Sequence, residues 1–280
     1  MKEKAYAKIN LCLDVVKRRE DGYHELNMVM APIDFYDTVE LTIAKKMSFK
    51  TNAGYLALDE KNTVIKTIKV MREEFAFKEN FAIALHKQIP AQAGLAGGSS
   101  DGAAALRIIQ RLLNLDISEE KQIQIAKKIG ADVPFCLKSK PALVRGIGEK
   151  LEHFSFQSQF HVFLVKPHHG VSTKLAFESL NLTKCCHPDV LNMKKALIQQ
   201  DYPHIVKTLG NSLEESAFRL VPQIKQIKEE LLNFGFDGVL MSGSGSTVFA
   251  LTSSDDLIQK ATHEFKSRGY FVRKTRILSE

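Results

Sequence analysis

The stretch PAQAGLAGGSSDGAAAL, Pro90–Leu106, joins a glycine-rich run directly to an apolar helical pattern. Ala105, Ile108, Ile109 and Leu112 follow one another at spacings of three and four residues, which is typical of one buried helix face. Glycine lets a backbone turn sharply and approach a ligand closely. The first N–H groups of a helix lack intrahelical acceptors and attract anions. The stretch therefore predicts a phosphate-binding loop at a helix N-terminus.

A simpler structure also accounts for these residues, in which Ser99, Ser100 or Asp101 caps a core helix after a turn. Known nucleotide signatures do not decide between the two. The run has no Gly-Lys-Ser/Thr of a Walker A loop and no Gly-x-Gly-x-x-Gly of a dinucleotide fold. Protein-kinase catalytic-loop and metal-binding signatures are also absent from the sequence. A nucleotide site here would be of another type.

Composition is that of an ordinary soluble globular protein, with 280 residues, 44% hydrophobic and 25% charged. The net charge of +7 suits anionic small molecules, and no dense basic run with interleaved aromatics predicts nucleic-acid binding. There is no signal-peptide core, and no apolar run approaches the ~20 residues that cross a membrane. The four cysteines form no CxxC pair, and Cys185-Cys186-His187 has the wrong spacing for a metal site. We predict a cytoplasmic protein with no metal ligands and no membrane contact.

Alternating and helical spacings predict a mixture of strands and helices. Between 4 and 15 every second residue is apolar, as in a strand with one buried face. Strands are predicted at 4–15, 26–33, 38–43, 47–51, 81–85, 160–166, 239–241, 247–251 and 270–277, and helices at 62–77, 101–114, 118–129, 172–180, 187–199, 203–219, 222–234 and 255–268. The best domain boundary lies near 151–158, which gives predicted domains 1–153 and 154–280.

Two further segments carry chemistry-bearing residues. In Gly130-Ala-Asp132-Val-Pro134-Phe, an acidic residue stands in a turn directly after a helix end, and an Asx-turn explains it equally well. In Met241-Ser-Gly243-Ser-Gly245-Ser-Thr-Val, glycines separate two strands, and a hairpin with a glycine bulge is the plainer structure. Neither segment identifies a function by itself.

Taken together and in this order, the segments resemble the GHMP kinase superfamily. Its central motif, Pro-x-x-x-Gly-Leu-Gly/Ala-x-Ser-Ser, matches Pro90–Ser100 with one inserted residue. One branch of the superfamily, which phosphorylates a cytidine-diphosphate sugar alcohol, also matches elsewhere in the chain. The remaining matching motifs are Ala7–Asn10, Asp21–His24, Gly130–Phe135 and Ser242–Gly245, so the resemblance runs from end to end.

The resemblance implies an α+β fold of two domains. The N-terminal ATP-binding domain would be like domain 2 of ribosomal protein S5, and the C-terminal domain would be ferredoxin-like. The implied reaction moves the γ-phosphoryl of ATP, supplied with Mg²⁺, to the 2-hydroxyl of a cytidine-diphosphate methylerythritol in the non-mevalonate isoprenoid route. The substrates would meet in a cleft between the domains. The protein is predicted to be a monomer or a weak homodimer.

The resemblance also implies roles for individual residues. Asp132 would be the catalytic base, and Lys8 would hold the acceptor oxygen and offset transition-state charge. Without the motif, Lys8 would read as an exposed strand lysine. The residues assigned to ATP are Pro90, Ala91, Gln92, Ala93, Gly94, Leu95, Ala96, Gly97, Gly98, Ser99 and Ser100; those assigned to the acceptor are Asn10, Tyr23, His24, Thr173, Phe177, Gly243 and Ser244.

Four departures from the branch's pattern stand out. Ala96 replaces a usual glycine, and Gly102 replaces a usual alanine. Lys138-Ser-Lys-Pro141 stands where a Gly-Gly turn is common, and Ser212 stands where aspartate is common. These departures leave two alternatives open: a sibling small-molecule kinase with another acceptor, and a nucleotide-binding paralogue with weak catalysis.

Overall fold

The computed structural model describes residues 1–278 as a mixture of strands and helices, in agreement with the predicted α+β class. The strands in this range are β1 (Lys2–Arg18), β2 (His24–Ala44), β3 (Ser48–Thr51), β4 (Asn80–His86), β5 (Ala142–Gly146), β6 (Lys150–His153), β7 (His161–Lys166), β8 (Gly210–Asn211), β9 (Gly238–Met241), β10 (Val248–Thr252) and β11 (Phe271–Thr275). The helices are α1 (Thr63–Phe75), α2 (Gly97–Leu112), α3 (Glu119–Ile129), α4 (Val133–Lys138), α5 (Thr173–Glu178), α6 (Val190–Ile198), α7 (Tyr202–Thr208), α8 (Glu214–Leu220), α9 (Gln223–Phe234) and α10 (Asp255–Ser267). None of these helices is long and apolar enough to span a bilayer.

The chain forms two compact units, each built from separate stretches of sequence. The first unit comprises Met1–Ala7, Phe35–Pro90 and Ala96–Ser139. The second comprises Lys8–Asp34, Ala91–Leu95 and the chain from Lys140 onward. The glycine-rich loop therefore contributes residues to both units, and the domain boundary predicted after residue 153 stays a prediction.

The first unit contains sheet strands and the helices α1 to α4, which pack on one another. Strand β4 pairs antiparallel with the second half of β2 and parallel with β3. On β4, Phe81, Ile83 and Leu85 are buried and the residues between them are not, which is the period-two pattern of a half-buried strand. Ile108 and Ile109 of α2 are fully buried, as predicted. Each such side chain contributes about 1.5–3 kcal/mol through burial.

In the second unit, β11, β7, β10 and β9 lie side by side in that order, and all neighbours are antiparallel. In chain order this arrangement is 4-1-3-2, with a helix after the first strand and another before the last. That is the ferredoxin-like pattern predicted for the C-terminal domain. The extra helices α5 to α8 are inserted between β7 and α9.

Strand β2 runs without the break that was predicted between residues 33 and 38. Ile33, Phe35, Asp37 and Val39 are all buried, so the alternation continues through the acidic stretch. The prediction failed because an aspartate in an inward position is rare. Here Asp37 is accommodated by an ion pair with the buried Lys87.

The predicted helix 203–219 is interrupted by β8, which pairs in parallel with β1 through Cys12 and Gly210. A Cβ on Gly210 would lie 2.6 Å from the Cβ of Pro188, so the close approach requires glycine. The side chain of Asn211 accepts a hydrogen bond from the backbone N–H of Leu213, which competes with helix continuation. The short helix α4 and the β5–β6 hairpin were not predicted, and β6 occupies the start of the proposed linker.

Candidate active site

Helix α2 begins at Gly97, before the predicted start at residue 101, and its N-cap residue is Ala96. Ser99, Ser100 and Asp101 therefore lie inside the helix, so none of them is its cap. Ala96 has no side chain able to cap, and the first turn receives no side-chain cap hydrogen bond. The simpler structure, a serine- or aspartate-capped core helix, is thereby excluded, and the first N–H groups remain directed outward from the helix end.

The backbone before α2 is repeatedly left-handed. Gln92, Gly94 and Ala96 have φ values of 49°, 72° and 56°. A left-handed residue next to a right-handed one turns consecutive N–H groups to the same side and forms an anion-binding concavity. Ala96 and Gly97 form such a pair at the positive end of the α2 dipole. The segment has the geometry of a phosphate cradle.

The two serines of the loop differ in their surroundings. Ser100 is 1% exposed, and its hydroxyl donates a 2.6 Å hydrogen bond to the carbonyl of Tyr6. Ser99 is half-buried, and its Oγ lies 4.0 Å from the position that a Cβ on Gly130 would take. Ser99 is therefore the more accessible of the two serines.

Loop residues of the second unit pack against its other glycine-rich segment. A Cβ on Gly94 would lie only 2.0 Å from the carbonyl oxygen of Ser242, so no larger residue fits. The Ser242 hydroxyl donates to the Gly94 carbonyl at 3.0 Å. The N–H groups of Ser246 and Thr247 donate to the carbonyls of Gln92 and Ala93 at 3.3 and 3.2 Å. Two segments assigned to different substrates from sequence thus form one structure.

Lys8 and Asn10 lie at this same point. Lys8 is only 4% exposed, and its Nζ donates to Asn10 Oδ1 at 2.7 Å and to the Gly94 carbonyl at 3.0 Å. A Cβ on Gly243 would lie 3.2 Å from that Nζ. The alternative of an exposed strand lysine is wrong. A buried ammonium in a fixed position is suited to stabilising developing negative charge.

Asp132 lies in the first unit, in the turn between α3 and α4. It is half-buried, with φ −86° and ψ −8°, and its carbonyl accepts from the N–H of Cys136 at 3.2 Å. Its side chain makes no cap hydrogen bond to α4. Gly130 directly follows α3, at the helix end that the sequence predicts. Its backbone is extended, not left-handed. The turn holds the Asp132 carboxylate apart from any role as a helix cap.

Acceptor-side residues fall into two contacts within the second unit. The rings of His24 and Phe177 stack with centroids 5.0 Å apart and an interplanar angle of 26°. Burial, with a smaller contribution from Arg18, lowers the pKa of His24, which keeps its imidazole neutral. Thr173 Oγ1 lies 2.8 Å from Ser244 Oγ. The structure thus pairs residues that are far apart in sequence, as a shared ligand surface requires.

Tyr23 is 60% exposed at the turn before β2. Its backbone N–H donates to Asp21 Oδ1 at 3.1 Å, and Arg19 pairs with the same carboxylate at 2.8 Å. These bonds fix the turn and leave the Tyr23 ring facing solvent. A ring in that position can cover one face of an aromatic base.

Asn211 is a positioning residue that the sequence reasoning missed. Its Nδ2 donates 2.8 Å hydrogen bonds to the carbonyls of both Met241 and Gly243, and the residue is 2% exposed. The amide therefore holds the start of the glycine segment beside Lys8. The signal is the position of Asn211 directly before Ser212, the residue that departs from the family pattern.

Most of the departures have local explanations. A Cβ on Gly102 would lie 3.2 Å from Thr67 Oγ1, so glycine permits close packing of α2 on α1. Ser139 ends α4 with φ 47° and takes the left-handed conformation that a glycine turn would supply. The Ser212 hydroxyl donates to the Cys186 carbonyl at 2.6 Å and accepts from the Val15 N–H at 3.1 Å. These residues shape the scaffold.

Among residues 1–278, no group of three or more histidine, cysteine, aspartate or glutamate side chains could hold a metal ion. In the Cys185–His187 segment, His187 Nδ1 contacts Asp14 Oδ1 at 2.7 Å and Nε2 contacts the Leu182 carbonyl at 2.8 Å. These two contacts raise the pKa of His187. The histidine acts as a tether for the segment after α5.

Comparison with known proteins identifies the family. Residues 62–140 match the GHMP kinases N terminal domain and residues 179–270 match the GHMP kinases C terminal domain. The chain is 40% identical over 279 residues to 4-diphosphocytidyl-2-C-methyl-D-erythritol kinase of Bacillus cytotoxicus, covering 99% of this chain and 96% of the relative.

Solved structures agree. A crystal structure of 4-(cytidine 5'-diphospho)-2C-methyl-D-erythritol kinase superposes with a TM-score of 0.83 and 30% identity over 100% of both chains. Homoserine kinase of Cytophaga hutchinsonii shares the fold, with a TM-score of 0.74 at 22% identity over 98% of this chain and 94% of that one. The chain belongs to the GHMP kinase family and has its two-domain α+β fold.

Proposed function

We propose that the protein transfers the γ-phosphoryl group of ATP to the 2-hydroxyl of 4-diphosphocytidyl-2-C-methyl-D-erythritol, in the non-mevalonate route to isoprenoid precursors. The observation that carries this proposal is 40% identity across nearly the whole chain to a kinase of that name. The residues that the family motifs single out are all present, from Lys8 and Asp132 to Tyr23 and His24.

On the nucleotide side, the β- and γ-phosphates of ATP bind the outward N–H groups at the start of α2. The supporting observation is the left-handed Ala96 followed by the helical Gly97, which turns these N–H groups to one side. Ser99 supplies a further hydroxyl, because it is half-buried while Ser100 is committed to the Tyr6 carbonyl. Mg²⁺ would be supplied with ATP and would neutralise part of the phosphate charge.

In the reaction, the 2-hydroxyl oxygen forms a bond to the γ-phosphorus as the bond from that phosphorus to the β,γ-bridging oxygen breaks. Asp132 takes the hydroxyl proton, and ADP leaves with the bridging oxygen. Lys8 holds the acceptor oxygen and offsets the charge that builds up on the transferred group. Its buried ammonium is fixed by Asn10 and the Gly94 carbonyl, so little reorganisation is needed during transfer.

On the acceptor side, the cytosine stacks on the aromatic surface of Tyr23, His24 and Phe177. The neutral imidazole of His24 and the phenyl ring of Phe177 stack on one another, and the exposed Tyr23 ring offers a further aromatic face. Gly243 and Ser244 approach the acceptor diphosphate, and Thr173 lies within hydrogen-bond distance of Ser244. Glycine at 243 allows the backbone itself to make this contact.

The activity is tested with purified protein, ATP and the proposed acceptor, with the 2-phosphate product identified by phosphorus NMR. Turnover of another alcohol and none of this acceptor would show a sibling kinase. No turnover of any alcohol, with ATP still bound, would show a catalytically weak paralogue.

The catalytic roles are tested by Asp132→Asn and Lys8→Met. Each should lower kcat by about a hundredfold or more while ATP affinity changes little. The exposed Asp116 and Lys2 provide matched controls, Asp116→Asn and Lys2→Met, which should leave kcat unchanged. Wild-type kcat in Asp132→Asn would refute its role as base.

The cytosine surface is tested by Phe177→Ala, with Leu232→Ala as a control for an apolar truncation on an exposed helix position. Phe177→Ala should raise the acceptor KM about tenfold, since base–aromatic stacking is worth about 1–3 kcal/mol, and leave the ATP KM unchanged.

Sedimentation would check the predicted monomer or weak homodimer.

A further inference from the structure

A buried charged cluster lies in the first unit at the two ends of the nucleotide loop. Lys87 directly follows β4 and precedes the loop, Asp37 lies in β2, and Asp101 lies in α2 one turn after Gly97. The side chains of Lys87, Asp37 and Asp101 are 7%, 0% and 4% exposed. Nothing in the proposed chemistry uses these three groups.

Lys87 joins the two carboxylates. Its Nζ donates to Asp101 Oδ2 at 2.7 Å and also contacts Asp37 Oδ2. The other oxygen of Asp37 accepts from the backbone N–H groups of Gln88 and Ile89, at 2.5 and 2.8 Å. Asp37 therefore fixes the backbone just before Pro90. The Lys87 ammonium contacts both Asp37 and Asp101 and so links this backbone to helix α2.

Gly97, the first residue of α2, lies against the same ammonium. A Cβ on Gly97 would be 2.9 Å from Ile89 Cγ2 and 3.3 Å from Lys87 Nζ. The first helical turn thus has its position set by Lys87 on one side and by the attachment of Asp101 one turn later. The N–H groups assigned to phosphate binding belong to this turn.

The charges in the cluster do not balance when both acids are ionised. Burial, opposed by Lys87 and reinforced by the charge of Asp37, raises the pKa of Asp101 to about 8. Burial alone would lower the pKa of Lys87, but Asp101 and Asp37 outweigh it and raise that pKa. Asp101 Oδ1 is buried and has no hydrogen-bond partner among residues 1–278. A proton on Asp101 leaves one ammonium facing one carboxylate.

The charged groups facing Asp101 are Lys87, after β4, and Asp37, in β2. From α1, Lys66 directs its ammonium instead to the Ile129 carbonyl at 2.7 Å. ATP would bring several negative charges to the first turn of α2. A second negative charge in this cluster would therefore oppose nucleotide binding, and Lys87 limits that charge.

We propose that Lys87 and Asp101 are positioning residues for ATP: with Asp37 they tie the start of α2 to the end of β4 and keep the charge beneath the phosphate cradle low. This proposal rests on the proposed kinase function. The expected result is that nucleotide affinity depends on the cluster while acceptor affinity does not.

The test measures binding of a non-hydrolysable ATP analogue by calorimetry, together with kcat and both KM values. Lys87→Met should weaken analogue binding and raise the ATP KM about tenfold or more, with the acceptor KM changed less than twofold. Asp101→Leu should do the same. Asp101→Asn, which keeps an oxygen for Lys87, should stay within twofold of wild type at pH 7. Lys69→Met is the control, because Lys69 is an exposed lysine of α1 that pairs with Glu60.

The pH profile separates positioning from simple loss of structure. Wild-type analogue affinity should fall as pH rises through about 8, and the fall should vanish in Asp101→Asn. This comparison stands even if Lys87→Met fails to fold. Unchanged analogue binding by folded Lys87→Met, or equal pH profiles for wild type and Asp101→Asn, would overturn the proposal. Wild type that binds no analogue at all would instead refute the kinase function.

Discussion

Replacing Gly94 with alanine is expected to destabilise the protein more than the same replacement at Gly235. Both glycines are left-handed, with φ 72° and 97°, so each alanine costs about 1–2 kcal/mol from backbone strain. Both substitutions also restrict the unfolded chain equally, by about 0.4–1 kcal/mol, and that contribution cancels in the comparison. The difference in unfolding free energy between the two variants therefore reports only the atoms that surround each Cβ.

Their surroundings are opposite. Nothing lies within 4 Å of a Cβ on Gly235, whereas a Cβ on Gly94 would meet the Ser242 carbonyl oxygen at 2.0 Å. A backbone oxygen cannot rotate away, so the two segments must separate, at an overpacking cost of about 1–3 kcal/mol. Gly94→Ala should thus lose about 1–3 kcal/mol more than Gly235→Ala.

Urea unfolding of the two variants measures this difference, read from the midpoints at unchanged slope. Gly94→Ala should also raise the ATP KM, because its loop precedes the phosphate cradle, while Gly235→Ala should not. Equal losses of unfolding free energy in the two variants would refute the close approach on which the description of this site depends.

Three further predictions concern buried polar groups. Ser100→Ala should cost about 1 kcal/mol in urea unfolding, because the half-buried Tyr6 carbonyl loses a donor, with the ATP KM unchanged. Ser99→Ala should raise the ATP KM and leave stability unchanged, and identical behaviour of the two variants would contradict the assignment. Lys228→Met leaves the buried Glu214 without its ion-pair partner, which lies at 2.6 Å. Burial raises the pKa of Glu214, so the free energy of unfolding should fall by about 3 kcal/mol near neutral pH and by less in acid. Thermal unfolding would report this difference. Because the folded chain keeps on Asp101 a proton that the unfolded chain releases, the contribution of Asp101 to stability should decline as pH rises from about 4 to about 8. Urea titrations of Asp101→Asn should lack this decline relative to wild type, and equal slopes for the two proteins would count against the raised pKa.

Sequence reasoning succeeded where a residue type is tied to one geometry. The helical spacing of Ile108 and Ile109 predicts a buried face of α2, and the structure has it. The family resemblance predicts a ferredoxin-like C-terminal domain, and the sheet β11-β7-β10-β9 has that strand order. In these places local pattern and tertiary packing favour the same structure.

Failures occurred where a distant partner overrides the local pattern. Asp37 falls in the gap between two predicted strands until its buried partner Lys87, which directly follows β4, is known. The helical spacing across residues 203–219 gave no sign that Gly210 pairs with Cys12. Lys8 could be placed in a motif, but its burial depends on the approach of Gly94, which is 86 residues away in the chain. Long-range contacts of this kind leave no periodic signal in one sequence.

The structure of the glycine segment depends on the chemical stability of one side chain, the amide of Asn211. Asparagine is among the residues that hydrolyse on ageing or heating, and the aspartate formed would have only acceptor atoms. Both carbonyls that Asn211 now serves, those of Met241 and Gly243, would then lose their donor. The buried side chain is held in one conformation by these two hydrogen bonds, so the packing that orders the glycine segment also slows the reaction that would release it.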